Sequence, residues 1–374
     1  MFTHRLKEEL KSLKEQNMYR NLSILRENII DFSSNDYLGL KDCKKTKKQL
    51  CQKIDTLQLG SGASLLVSGY TKIQNQLEKH LSNLKETQKC IVVGSGYLAN
   101  IGMLQALIKK EDTVLSDELN HASIIDGLKL TKAEKLIYKH KNTKDLETKL
   151  KTRKNKGQIF IVTDGVFSME GDIAPLDDIY KISKKYDAVL IIDDAHATGI
   201  LGEGKGTLFH FGLKPEENII QMGTLSKAVG SYGAFICASE VVIEYLINKM
   251  RTAIFTTALS PIQNYISLQN LQIMQAEPHR RLEVLQKAKY LAEGLKKARF
   301  KVTFNGTPII PLIVNEEKKA IKIRDFLLQN NIFLQAIRPP TVPKGTSRLR
   351  ITISYKHSYE DIEKLLSLLT KFQT

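Results

Sequence analysis

Lys227 sits in Gly223-Thr224-Leu225-Ser226-Lys227-Ala228, directly after the apolar run Asn218-Ile219-Ile220-Gln221-Met222. Upstream, a second run, Ala188-Val189-Leu190-Ile191-Ile192, ends in Asp193-Asp194-Ala195-His196. An amine flanked by hydroxyls can form a Schiff base with an aldehyde while the hydroxyls hold a phosphate. A carboxylate at another strand end can keep a pyridine nitrogen protonated, so that the ring accepts carbanion charge, and an imidazole can meet the ring's phenolic oxygen. Lysine, acid and imidazole at two strand ends are what a pyridoxal phosphate (PLP) site requires. Read alone, Asp193-Asp194-Ala195-His196 also admits an acidic strand end or a metal site. A metal would want a third ligand of similar type at a legible spacing, and the sequence offers none.

Four further segments carry candidates. Gly94-Ser95-Gly96-Tyr97-Leu98-Ala99-Asn100 follows an apolar run and opens a helical pattern. Its glycines let the backbone approach an anion at a helix N-terminus; a plain tight turn with Tyr97 in the core is the other reading. His121, in Asn120-His121-Ala122-Ser123, is either a satisfied structural histidine or one that stacks on a planar cofactor and handles a proton. In the turn-rich stretch from Thr163 to Asp172, Ser168 is the hydroxyl candidate, with an ordinary loop as the alternative. Arg348-Leu349-Arg350 puts two guanidinium groups on one strand face. One suits a bidentate pair with a substrate carboxylate, and an edge-strand salt bridge is the other reading.

These residues need a scaffold that gathers strand ends. Between about residues 89 and 239, short apolar runs (90–93, 113–115, 159–162, 188–192, 219–222 and 234–237) alternate with helix-like segments such as Pro175 to Lys185. The pattern predicts an α/β domain with a largely parallel sheet. Polar residues close the runs at Asp117, Asp164, Asp193 and Thr224, and open α/β sheets bind ligands outside the carboxyl ends of their strands. After about residue 240 the pattern turns helical, over 241–250 and 260–295, with strands at 301–314 and 347–354 flanking a helix near 320–329. The expected organisation is an N-terminal helix and segment at 1–42, a large domain at 43–267 and a smaller α+β domain at 268–374. Phe2, Leu6, Leu10 and Leu13 predict an amphipathic N-terminal helix packed on the body.

Composition bounds the class. The 374 residues are 42% hydrophobic and 26% charged, as in ordinary globular chains. No apolar run has the ~18 residues of a membrane span, and the N-terminus reads as neither secretory signal nor mitochondrial presequence. A soluble cytoplasmic protein without membrane contact is expected. Cys43, Cys51, Cys90 and Cys237 form no Cys-x-x-Cys pair and have no His cluster, so buried free thiols and no metal are expected. The net charge of +16 is concentrated in part at 41–48 and 149–156. These stretches are either solvated surface or a surface for a polyanionic partner, such as the phosphates of coenzyme A or an acidic carrier protein. No nucleic-acid-binding signature is present.

Taken together, the motifs resemble the α-oxoamine synthases, PLP enzymes of fold type I. The resemblance runs from about Asn35 to His357. It includes Ser34 to Leu40, Gly60-Ser61-Gly62-Ala63-Ser64, Asn120 to Ser123, Gly165 to Met169, Asp193 to Gly199, Thr224 to Ala228 and Thr341-Val342-Pro343. It implies that Lys227 carries PLP, Asp193 pairs with the pyridine nitrogen, His196 meets the phenolic oxygen and His121 stacks on the ring. It further implies that Gly96, Tyr97, Thr224 and Ser168 help to hold the cofactor. Arg350 takes the amino-acid carboxylate with Asn35 nearby, and Arg20 and Thr341 contact substrate. Thr256 and Thr257 reach a neighbouring subunit's phosphate, which implies a homodimer. Ala336-Ile337-Arg338-Pro339-Pro340-Thr341-Val342-Pro343 is similar to members that join L-alanine to a pimeloyl thioester, carried on coenzyme A or an acyl carrier protein. Those members release CO2 and the free thiol carrier and serve biotin biosynthesis. A glycine C-acetyltransferase of the same family and a PLP-fold protein that only binds are the alternatives. Leu65 departs from the pattern, standing where many relatives have Arg, and the Arg20–Asn35 segment is comparatively short.

Overall fold

The computed structural model describes residues 1–372. Residues 373 and 374, the end of the small domain expected at 268–374, lie outside them. The chain divides into two compact units. The larger comprises Asn35–Ser168 and Asp172–Leu282; the smaller comprises Met1–Ser34, Met169–Gly171 and the chain from Glu283 onward.

In the larger unit the apolar runs become strands, as their length and β-branched content favour. They are β1 (Lys89–Val93), β2 (Thr113–Asp117), β3 (Glu134–Tyr138), β4 (Ile159–Asp164), β5 (Val189–Asp193), β6 (Ile219–Thr224) and β7 (Ala234–Ala238). Their spatial order is β1-β7-β6-β5-β4-β2-β3. The pairs from β3 through β6 are parallel, while β7 is antiparallel to β1 and β6. No apolar run announces β3, because it is the edge strand and exposes Lys135 and Ile137. Alternation along each inner strand feeds two cores. Ile191 packs with Met103, Phe160 and Ile220 on one face, and Leu190 and Ile192 pack with Tyr138, Phe167 and Ile179 on the other. Register aligns Asp164 with Asp193, and Asp193 with Met222, so the polar strand ends share one edge.

In the smaller unit, β8 (Ile309–Asn315), β9 (Ala336–Ile337) and β10 (Ser347–Thr352) form an antiparallel sheet in the order β9-β10-β8. Helices Glu317–Gln329 and Tyr359–Thr370 share its apolar core, where Ile310, Leu327, Ile351 and Leu365 are buried. The strand expected from 301 starts only at Ile309. Gly306 at φ +77 and then Pro308 hold the preceding segment out of the ladder. The helical stretch expected over 260–295 is two helices, Pro261–Ala276 and His279–Lys297. Pro278 separates them, since proline cannot donate the N–H that a continuous helix needs.

Two expectations are corrected. The N-terminal helix forms over Phe2–Glu15, but none of its residues is buried, and Phe2 and Leu10 are 67% and 46% exposed. An amphipathic pattern determines which face is apolar, not that the same chain covers it. Of the cysteines, Cys90 and Cys237 are buried opposite each other in β1 and β7, whereas Cys43 is half-buried and Cys51 is exposed. Cys43 caps the N-terminus of the solvated helix Lys44–Cys51, and Cys51 is its last residue. Among the described residues no helix is long and apolar enough to cross a membrane.

Candidate active site

The carboxyl edge of the large sheet gathers the candidates. Asp193 ends β5 and is buried; its Oδ2 accepts from Asn100 Nδ2 at 2.8 Å and its Oδ1 from the Ala195 N–H at 2.9 Å. The turn beyond carries His196, whose Nε2 lies 2.9 Å from Lys227 Nζ and whose Nδ1 lies 2.6 Å from the Tyr37 hydroxyl. The Tyr37 hydroxyl in turn donates to Asn35 Oδ1 at 3.3 Å. One assignment of protons satisfies the whole chain: Lys227 donates to Nε2, the Nδ1–H donates to Tyr37, and Tyr37 donates to Asn35. The Thr224 hydroxyl donates to the Gly233 carbonyl at 3.0 Å and lies 2.7 Å from the Ser226 hydroxyl, so the hydroxyls flanking Lys227 are locked in place.

Across β4, Asp164 Oδ2 accepts from the His121 N–H at 2.9 Å, and Asn120 Oδ1 accepts from the Asp164 N–H at 2.9 Å. Burial, then the Asp193 charge, hold Asp164 well above the usual carboxylate range, against an opposing pull from Lys227. His121 Nδ1 accepts from the Ser123 N–H at 3.2 Å and lies 2.7 Å from the Ser123 hydroxyl. Desolvation lowers the His121 pKa, Asp193 opposes this, and Lys227 adds to it, so the ring is neutral near pH 7.

The remaining large-unit candidates surround this edge. Gly96 is the first residue of helix Gly96–Leu107, and Ser95 caps that helix by accepting from the Leu98 N–H at 3.3 Å. Tyr97 is 44% exposed rather than in the core, and its hydroxyl donates to Asp126 Oδ2 at 2.6 Å. Ser168 lies in the turn beyond β4, next to Phe167, whose N–H donates to the Asp172 carbonyl at 3.0 Å. Thr256 and Thr257 line a shallow cavity of about 330 Å3 with Gly94, Leu98 and Tyr232. Thr256 donates to the Thr252 carbonyl at 2.6 Å, and Thr257 bridges to Ser64.

In the smaller unit, the Arg20 guanidinium donates to the Thr341 hydroxyl at 3.1 Å at the edge of a cavity of about 700 Å3 shared with Arg324, Phe333, Ile337 and Arg338. The two arginines of β10 are both buried and take different partners. Arg348 Nη1 pairs with Glu170 Oε1 at 2.9 Å and donates to the Met169 carbonyl at 3.1 Å; Arg350 Nη1 donates to the Thr352 hydroxyl at 3.0 Å. For Arg348 a salt bridge forms as that reading expected, but β10 is the central strand of its sheet, not an edge.

The donor set suits PLP: a buried carboxylate held by an amide and a backbone N–H, a lysine amine on an imidazole, fixed hydroxyls and a helix N-terminus on one sheet edge. Sequence reasoning gave no role to Tyr37 or Asn100. Both lie inside quoted motifs, but only the fold shows which residues they face. Among the described residues no group of His, Cys, Asp or Glu has the arrangement to hold a metal ion.

Comparison with known proteins is consistent with this chemistry. The family model for aminotransferase class I and II matches residues 27–369. The chain is 43% identical to an 8-amino-7-oxononanoate synthase of Lysinibacillus sphaericus, over 98% of this chain and 97% of that protein. It resembles the crystal structure of 8-amino-7-oxononanoate synthase from Francisella tularensis, with TM-score 0.79 and 30% identity over 92% of this chain and 98% of that one. It also resembles a serine palmitoyltransferase variant from S. paucimobilis with a bound PLP–myriocin aldimine, with TM-score 0.90 and 26% identity over 98% and 96% of the two chains.

Proposed function

Because the chain belongs to the class I and II aminotransferase family, as a fold type I, PLP-dependent acyltransferase of the 8-amino-7-oxononanoate synthase group, we propose that it condenses L-alanine with a pimeloyl thioester in biotin biosynthesis. The observation that carries the chemistry is the chain Lys227–His196–Tyr37 beside the buried, amide-held Asp193. Bound PLP supplies an electron sink for negative charge at the amino-acid α-carbon.

Lys227 anchors the cofactor, and Asp193 holds a proton on the pyridine nitrogen. His196, oriented by Tyr37, hydrogen-bonds the phenolic oxygen, and neutral His121 covers the ring face. Gly96, Tyr97, Ser168 and Thr224 hold the cofactor's polar periphery, the last with Ser226 fixing its hydroxyl. Arg350 takes the alanine carboxylate, with Asn35 beside the amino acid. Once the alanine amine has displaced it, the freed Lys227 Nζ removes the α-proton. The α-carbon then bonds to the thioester carbonyl carbon, the C–S bond breaks and the thiol carrier leaves. Loss of CO2 and return of a proton from Lys227 complete the amino-ketone. Arg20 and Thr341, on the cavity of the smaller unit, take the acyl donor, whether it is carried on coenzyme A or an acyl carrier protein. The working form is a homodimer in which Thr256 and Thr257 serve the partner's phosphate site; exposed Leu66, Val67 and Phe255 provide apolar surface for the interface. We place the enzyme in the cytoplasm.

The test is turnover of alanine, glycine and serine against pimeloyl and acetyl thioesters. Alanine with the pimeloyl donor is expected to give the highest kcat/KM. Faster turnover of glycine with acetyl-coenzyme A would replace this reading with glycine C-acetyltransferase.

A further inference from the structure

We propose that the buried ion pair Lys85–Asp194 is a positioning device that fixes, from behind the sheet edge, the turn presenting Asp193 and His196; this rests on the cofactor-facing roles proposed for those two residues. Asp193 and Asp194 are consecutive but engage different groups. Asp193 meets Asn100, whereas Asp194 Oδ2 meets Lys85 Nζ at 2.8 Å, with both side chains of that pair at 0% exposure. The Thr207 N–H donates to both Asp194 oxygens, at 3.1 and 3.2 Å.

The Asp194 backbone is equally committed. Its N–H donates to the Met222 carbonyl at 2.7 Å, tying the turn to β6. Its carbonyl accepts from the Ala197 and Thr198 N–H groups at 3.0 and 2.9 Å, so the turn containing His196 is wound on this peptide. Lys85 is held just as firmly. It terminates helix Lys72–Leu84, its N–H donates to the Leu81 carbonyl at 2.9 Å, and its own carbonyl accepts from Gln221 Nε2 in β6 at 3.1 Å. The pair therefore ties one helix to two strand ends.

Two glycines close on the pair. A Cβ on Gly206, at φ +121, would lie 1.9 Å from Asp194 Oδ2 and 2.6 Å from Lys85 Nζ; one on Gly165 would lie 2.6 Å from Asp194 Oδ1. A buried ion pair recovers little net stability over an apolar pair of similar volume, because desolvation offsets the attraction. Its distinct contribution is directional. A carboxylate held by an ammonium and a backbone N–H has one orientation, and the adjacent peptides inherit it.

The test uses the PLP-loaded protein carrying Lys85→Met with Asp194→Asn, which removes both charges and leaves an acceptor for the Thr207 N–H. Asp194→Asn alone is the second variant, since the amide keeps a hydrogen-bond acceptor for Lys85 and for the Thr207 N–H. Readouts are far-UV circular dichroism, PLP content, the pH midpoint of the visible absorbance of the lysine-bound cofactor, and kcat and KM with L-alanine and pimeloyl-coenzyme A. A folded, loaded variant is expected to shift the absorbance midpoint by about half a pH unit and to lose about tenfold in kcat, with KM for alanine within about twofold. A folded, loaded variant, single or double, with wild-type midpoint and kcat overturns the proposal. Asp193→Asn measured alongside separates the two ideas: if it retains wild-type turnover, the underlying role of Asp193 has failed instead.

Discussion

Tyr37 and His196, 159 residues apart in the chain, share a 2.6 Å hydrogen bond between the phenolic hydroxyl and Nδ1. With the Tyr37 hydroxyl donating to Asn35, this contact takes the Nδ1–H of His196 and leaves Nε2 to accept from Lys227. A residue outside the strand-end motifs thus sets the proton arrangement at the lysine.

Tyr37→Phe is expected to keep the fold and bind PLP while kcat falls about tenfold, as expected for a disturbed proton-handling group. The pH profile of kcat should move with it, because His196 loses the partner that holds its tautomer. Steady-state kinetics from pH 6 to 9 check this; a wild-type profile would remove Tyr37 from the relay.

The two arginines of β10 should separate cleanly. Arg348→Ala breaks the pair with Glu170, which is partly screened, and should lower stability by about 2 kcal/mol, with little change in KM for alanine. Arg350→Lys should instead raise that KM about tenfold or more, because an ammonium cannot make the bidentate carboxylate pair. Denaturant midpoints and kinetics on both variants decide; the opposite pattern would reassign the carboxylate to Arg348.

His140 bridges Asp117 at 3.0 Å and Asp172 at 3.1 Å. Burial opposes its charge, yet hydrogen bonds to the two carboxylates outweigh burial and raise its pKa from 6.5 to about 9. A raised folded-state pKa stabilises fully below the unfolded value, and that stabilisation is lost as pH rises through the folded one. The Tm advantage of wild type over His140→Gln should therefore be greatest at pH 6.5 and below and shrink toward pH 9 and above. Calorimetry across that range tests it, and an advantage that grows with pH would contradict the charged bridge.

The basic surface should act on encounter with an acidic donor. Lys45 pairs with Glu277 at 3.7 Å and Lys47 with Asp42, while Lys44 and Lys48 on the same helix are exposed. Screening shortens the Debye length to about 10 Å at 0.1 M salt, so kcat/KM for a carrier-linked thioester should fall with salt while kcat stays level. Lys44→Glu with Lys48→Glu should flatten that slope. A salt-insensitive wild-type enzyme would make the +16 charge a feature of composition alone.

Much of this was legible in the residues because strand signals are local. Ile191 and Ile220 lie in apolar runs with polar ends, and such runs declare both a buried strand and the place where its chemistry begins. That Lys227, Asp193 and His196 gather at one sheet edge could be read for that reason: Asp193 ends its strand, and His196 and Lys227 follow theirs within a few residues. Glu134–Tyr138 could not, since an edge strand need not be apolar, and neither could the exposed stripe of helix Phe2–Glu15, whose cover is not encoded in its own spacing. Tertiary structure alone decided that Tyr37 meets His196, that Asn100 meets Asp193 and that Lys85 meets Asp194. Those pairs join residues 93 to 159 positions apart, and hydrogen bonds at that separation follow from strand order and register, which no local pattern records.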